Sequence, residues 1–194
     1  SRPSVAVLAA NATVPARMNF WPALLLVGLA AAGAREPAIR DLSIALDGVQ
    51  VLVSFQLEHG LSAELVERIE SGLPSGFVYE LELARDRQRW WDAGLASARL
   101  EVIAMYNAVT HEFLVNFKQD GELVDSRVLT DRAELERALT RFSAYPVFTL
   151  DDPSPRERYL VRTRVELAPG SVLGFIPVRR TTGWVESNKV RVRR

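Results

Sequence analysis

Two histidines and no cysteine set narrow limits on the chemistry this chain's side chains can do. Without cysteine there is no disulfide, no thiolate nucleophile and no thiolate zinc site. His59 and His111 stand far apart, neither has a second imidazole nearby in sequence, and a zinc site would have to gather its ligands from scattered positions. They read as surface turn residues. Ser75 lies in Gly72-Leu73-Pro74-Ser75-Gly76, which lacks the G-x-S-x-G spacing that lifts a nucleophilic serine onto a strand-to-helix turn. Neither a P-loop nor a G-x-G-x-x-G run occurs. Glu80 and Glu82 share one strand face and could imitate the carboxylate pair of an acid–base catalyst, but opposed arginines explain them more simply. No catalytic residue, cofactor-binding residue, metal ligand or cofactor is expected, and a non-enzymatic role is favoured over an enzyme.

What remains are rows of arginine with aromatic neighbours. The stretch Gly72–Asp92 begins with a helix stop and a turn, continues as a long alternating strand, and ends in Arg85, Arg87, Arg89, Trp90 and Trp91. The three arginines continue the register of the strand's apolar face, so the strand runs past the edge of the core. Either they lie along the rim with stems packed and heads in water, or with the tryptophans they form a cationic contact for an acidic partner or lipid headgroup. A second candidate contact lies near the end of the chain. Leu173, Phe175 and Ile176 sit among Gly170, Gly174 and Pro177, poor material for a core element and therefore read as a loop. Arg179 and Arg180 follow at once. Apolar side chains beside arginines suit an anionic membrane surface or an acidic groove; the plainer alternative tucks Phe175 and Ile176 under the sheet.

The elements that must position these residues are mostly strands. Ala38–Leu46, the turn Asp47-Gly48, and the alternating run Val49–Glu58 predict a hairpin. Ser62 is a good N-cap, Leu61, Leu65, Val66 and Ile69 form a helical stripe, and Gly72 and Pro74 stop the helix. In the spine strand Phe77, Tyr79, Leu81 and Leu83 face one way and Val78, Glu80, Glu82 and Ala84 the other. Ser97–Asn107 is its antiparallel partner, and Ile103 and Met105 make that strand's second face partly apolar, which predicts cover on both sides. Glu112–Lys118, Asp120-Gly121 and Leu123–Leu129 give a further hairpin. Thr130–Ser143, capped by Asp131 with Glu134, carries the stripe Leu135, Ala138, Leu139 and Phe142, and Pro146 bars its continuation. After a polar, proline-broken loop at 151–158, Tyr159–Leu167 alternates again, with Arg162 and Arg164 placed to pair across strands with Glu80 and Glu82. The predicted class is α+β: an antiparallel β-sandwich, or a strongly curved sheet of about seven to eight strands, with two short helices.

Hydrophobic residues at 48% and charged residues at 25% are ordinary globular usage, so a sizeable core is expected. Residues 1–34 hold Arg2 and Arg17 and no acid. Of 24 basic and 24 acidic groups, 22 and 24 therefore belong to residues 35–194, a net −2 that argues against a nucleic-acid partner. Phe20–Ala34 is uncharged for 15 residues and ends in Ala32-Gly33-Ala34 before Arg35. That is the apolar core and cleavage pattern of a secretory signal, and it falls short of the roughly 20 apolar residues of a membrane span. Met18 is the expected true start. The expected organisation is a leader over 1–34, one antiparallel domain over 35–168, and an apolar loop with a basic tail over 169–194.

Taken together, Val49–Leu57, Gly72-Leu73-Pro74, Phe77–Leu83, the end Arg89-Trp90-Trp91-Asp92, the Leu135–Phe142 helix, Pro146, Tyr159–Val165 and Gly183-Trp184 resemble the bacterial family known as domain of unknown function 4390. The resemblance spans about residues 38–185. It implies export and no particular activity. The expected role is an exported envelope protein, periplasmic or on the outer face of the inner membrane. There it would act as a binding module for a protein partner in a membrane-bound signalling or assembly system, with peripheral membrane contact through its tail. The alternative is a carrier or enzyme whose small apolar ligand sits inside the sheet.

Overall fold

Ten strands and two helices follow one another in the computed structural model, which describes residues 35–86, 93–151, 153–172 and 176–192. The alternation at the start of the chain becomes β1 (Ala38–Asp47) and β2 (Gln50–Glu58), joined through Gly48 at φ +58°. Ser62 accepts the Leu65 amide at 3.2 Å and starts α1 (Ala63–Glu70), which buries Leu65, Val66 and Ile69. Gly72, at φ +83°, ends that turn in the left-handed region that glycine alone enters freely. Then come β3 (Ser75–Arg85), β4 (Ala93–Asn107), β5 (Glu112–Gln119) and β6 (Glu122–Leu129). Asp131 accepts the Ala133 amide at 2.9 Å and caps α2 (Arg132–Thr140). The chain closes with β7 (Arg141–Thr149), β8 (Tyr159–Val172), β9 (Ile176–Thr181) and β10 (Val185–Glu186).

These strands make two antiparallel sheets: β1-β2-β7, and a larger one in the order β10-β8-β3-β4-β5-β6 with β9 also paired to β8. The expected α+β sandwich is what forms. The spine strand β3 is central, bonded on one side to β4, with Leu81 opposite Ala98, and on the other to β8, with Leu81 opposite Thr163. Its predicted apolar face is the buried one: Phe77, Tyr79, Leu81 and Leu83 are each at most 1% exposed. Phe55, Tyr79 and Phe142 stack and tilt against one another at centroid distances of 4.6–5.2 Å and fill the space between the sheets. Tyr79 keeps its buried hydroxyl satisfied by donating to the Leu139 carbonyl at 2.7 Å. Leu65, Ile69, Leu135, Ala138 and Leu139 join this same core, so both helices lie on the inner side of the large sheet. The cover expected behind Ile103 and Met105 is not supplied by either helix; both residues are half-buried on the outer face.

Two further expectations are corrected. The second helix stops at Thr140, and Phe142 and Pro146 belong to β7 rather than to the helix and the break after it. Phe142 continues the helical stripe by coincidence of spacing, and Pro146 is tolerated because β7 is an outer strand of its sheet, where a missing amide costs no ladder bond. Part of the expected loop is also strand: Gly170 belongs to β8 and Ile176 and Pro177 to β9, while Leu173, Gly174 and Phe175 lie outside the described residues. β8 runs on to Val172 and β9 pairs with it, Ile176 opposite Val172 and Pro177 opposite Ser171, with an irregularity between Leu167 and Gly170. Proline again sits on an edge strand, and the irregularity takes in the Pro169-Gly170 step.

Candidate functional site

The end of the spine strand was the first candidate contact. Arg85 there is already engaged: its Nε lies 2.9 Å from Glu157 Oε2. Next to it Asp86, only 8% exposed, is held by Arg158 Nη2 at 2.7 Å and Lys189 Nζ at 3.0 Å. The Asp86 amide also donates to the Arg158 carbonyl at 2.9 Å. The loop at 153–158 and the end of the chain are thus pinned to the strand end, and Arg85 serves that anchoring. Arg87, Arg89, Trp90 and Trp91 lie outside the described residues, as does Phe175. Ile176 and Arg179 are placed in β9, and Arg180, in the same strand, is exposed and opposite Leu167.

Among the described residues an aromatic–arginine arrangement forms from residues outside both candidate contacts. On the outer face of the large sheet Trp184 stacks on the guanidinium groups of Arg164 and Arg162, 4.6 and 5.4 Å from the ring centre. Arg164 Nε donates to Glu80 Oε2 at 2.6 Å, as the sequence pattern proposed for this pair. Arg162 stands opposite Glu82 in the register, yet its ion contact is with Glu186 at 3.8 Å. The ladder continues to Arg99, which faces Glu80 across β4 and donates to Glu101 at 3.1 Å. Glu80, Glu101 and Glu186 thus each have an arginine partner. Trp184 comes into place because the segment after β9 lines the edge of β8: Thr182 exchanges bonds with Val165, and Ser187 with Val161. Nothing in the spacing of Trp184 alone could reveal this, since the register of a two-residue strand is set by tertiary contacts.

A second feature lies where α1 meets the sheet. Two adjoining hollows, of about 150 and 200 Å3, share Arg68, Phe77 and Leu167. The first also has His59 and Arg180 in its wall; the second, more apolar, has Ser75, Gly76 and Ile103. Ser75 is 6% exposed, and its hydroxyl meets no hydrogen-bond partner among the described residues. His59 and His111 both occupy turn positions at positive φ, +56° and +59°, and His111 Nδ1 lies 3.0 Å from the Tyr106 hydroxyl. Among the described residues no three histidines or carboxylates gather in a way that could hold a metal ion. No described helix is long and apolar enough to cross a membrane.

The family described as domain of unknown function (DUF4390) matches residues 34–172, well over half the chain, and the chain belongs to that family. The match ends with β8, so β9, Trp184 and β10 lie beyond it. No curated protein and no solved structure matches the chain.

Proposed function

We propose that this protein is an exported, non-enzymatic binding module of the bacterial envelope, recognising a protein partner within a membrane-bound signalling or assembly system. The observation that carries the reading is the stack of Trp184 on Arg164 and Arg162 across the outer face of the large sheet. Tryptophan and arginine are the residue types that most often anchor protein interfaces, and here their side chains are held in place before any partner arrives. Glu80, Glu82 and Glu186 around them give the surface a fixed charge pattern, which favours selectivity over indiscriminate attraction. The alternative of a carrier with an apolar ligand inside the sheet has less in its favour, because Phe55, Tyr79 and Phe142 occupy the room between the sheets. Export rests on the Phe20–Ala34 segment. Arg87, Arg89, Trp90 and Trp91 stay in the proposed contact on the strength of their sequence alone.

The test is affinity capture from native membranes with the wild type and with Trp184→Ser. The reading expects a co-purifying protein that the variant loses while keeping its thermal midpoint. An identical set of captured proteins with both forms would remove Trp184 from the contact and with it the support for this surface.

A further inference from the structure

We infer that β6 is a pairing edge and that its occupant is a second copy of this chain, joined antiparallel about a two-fold axis at Ser126. An unpaired strand offers a row of amides and carbonyls to any other strand, so folds usually blunt such edges. The other edges of this molecule are blunted. Asn188 binds both the amide and the carbonyl of Ile44 on β1, at 2.7 and 3.2 Å, taking the place of a neighbouring strand. Gln119 Nε2 donates to the Val147 carbonyl of β7 at 3.0 Å. β9 carries Pro177, and β10 is two residues long. β6 is different: eight residues without proline, at the end of the large sheet, with no described strand on its far side. It exposes Leu123, Val124 and Val128 at 59%, 50% and 60%.

The identity of the occupant comes from the order of residues along the strand. The pairing with β5 is irregular between Asp125 and Leu123, which leaves Asp125–Leu129 as the regular stretch. An antiparallel axis at Ser126 sets Asp125 against the partner's Arg127 and Arg127 against the partner's Asp125. Moving the axis one residue either way places Asp125 on itself or Arg127 on itself, and like charges directly opposed are unfavourable. Of the registers centred on Asp125, Ser126 or Arg127, the Ser126 one sets unlike charges opposite each other at both crossings.

The surroundings are prepared for it. Arg127 is held over the Phe117 ring at 4.5 Å and pairs with Asp125 of its own strand at 2.8 Å, so two such pairs meeting would close a ring of four alternating charges. On the outer face Met105, Leu114 and Val128 stand side by side across three strands. Ser126, at the axis, is small, and its hydroxyl is turned to Asn116 Oδ1 at 2.8 Å. Its amide, now bonded to Asp125 Oδ1 at 2.8 Å, is the one that must change partner on pairing.

Sedimentation velocity over a concentration series tests this with the full chain, as wild type, Asp125→Arg, Arg127→Asp and Val128→Lys. The wild type is expected to sediment as a dimer that dissociates on dilution. Each variant is expected to dimerise at least about tenfold more weakly, since each puts like charges or a lysine at the junction. Mixing Asp125→Arg with Arg127→Asp restores opposite charges at both crossings, so the mixture is expected to dimerise more tightly than either variant alone. That result cannot come from misfolding. Val128→Lys, at an exposed position, keeps the test open if a charge variant fails to fold. A wild type that stays monomeric throughout, a dimer indifferent to all three substitutions, or a mixture no stronger than its components would each overturn the proposal.

Discussion

Tyr79 concentrates more of the fold's requirements than any other side chain. It is buried, touches Phe55, Phe77 and Phe142, and donates a hydrogen bond to the Leu139 carbonyl in the last turn of α2. Tyr79→Phe leaves the Leu139 carbonyl without its donor and should lower the unfolding free energy by about 1–3 kcal/mol in urea titration. Burial also pushes the Tyr79 phenol well above its ordinary range. The folded protein therefore keeps a proton that the unfolded chain releases near pH 10 or so. The associated stability is whole below that pH and is lost as pH rises above it. Urea midpoints measured on both sides of about pH 10 should fall more steeply for the wild type than for Tyr79→Phe. Leu81, 1% exposed on the same strand, tests the packing alone: Leu81→Ala should cost about 2–5 kcal/mol by the same measurement, and a loss below about 1 kcal/mol would place it outside the core.

At the scale of elements, period-two alternation and turn chemistry made most of the large sheet readable. Phe77–Leu83, Ala98–Ala104 and Phe113–Phe117 bury one face each, at every second residue. Asp47-Gly48 and Asp120-Gly121 turn where they should, with both glycines at positive φ. The pattern misled where two elements meet without a turn between them. Arg141 is at once the cap of α2 and the first residue of β7, so Phe142 carried the helical stripe one residue into a strand. The Trp184 surface was unreadable for another reason: it needs the register of β10 on β8, which pairs only Val185 with Thr163 and Glu186 with Arg162. Gly76 is a local feature with a sharp consequence. A Cβ there would overlap the Val102 carbonyl oxygen, so Gly76→Ala must part β3 from β4 at the start of the spine. Overpacking of that kind should cost about 1–3 kcal/mol. Hydrogen exchange should locate the loss at Phe77 and Val102.

For the whole molecule, the span matched by the family and the folded unit do not end together. The family match stops at Val172, whereas Thr182, Ser187, Asn188 and Val190 bond to β8 and β1. A chain cut after Val172 should therefore melt well below the full chain and lose amide protection at Ile44, Val161 and Val165 first, which differential scanning calorimetry and hydrogen exchange can show. The leader makes its own prediction: protein recovered from an exporting host should begin at or close to Arg35, and intact Phe20–Ala34 in a soluble product would end that reading.

The contact between Asn188 and Ile44 joins positions 144 residues apart in the chain. A ribosome releases the first strand long before it releases the residue that covers its edge. Until then β1 offers its free amides to whatever strand passes, its own chain or a neighbour's. Closure of so distant a loop also slows the search for the native arrangement, placing folding towards the millisecond-to-second end of the range. A chain built this way gains from being kept extended during synthesis and released all at once, so that its beginning and its end arrive in the same place together.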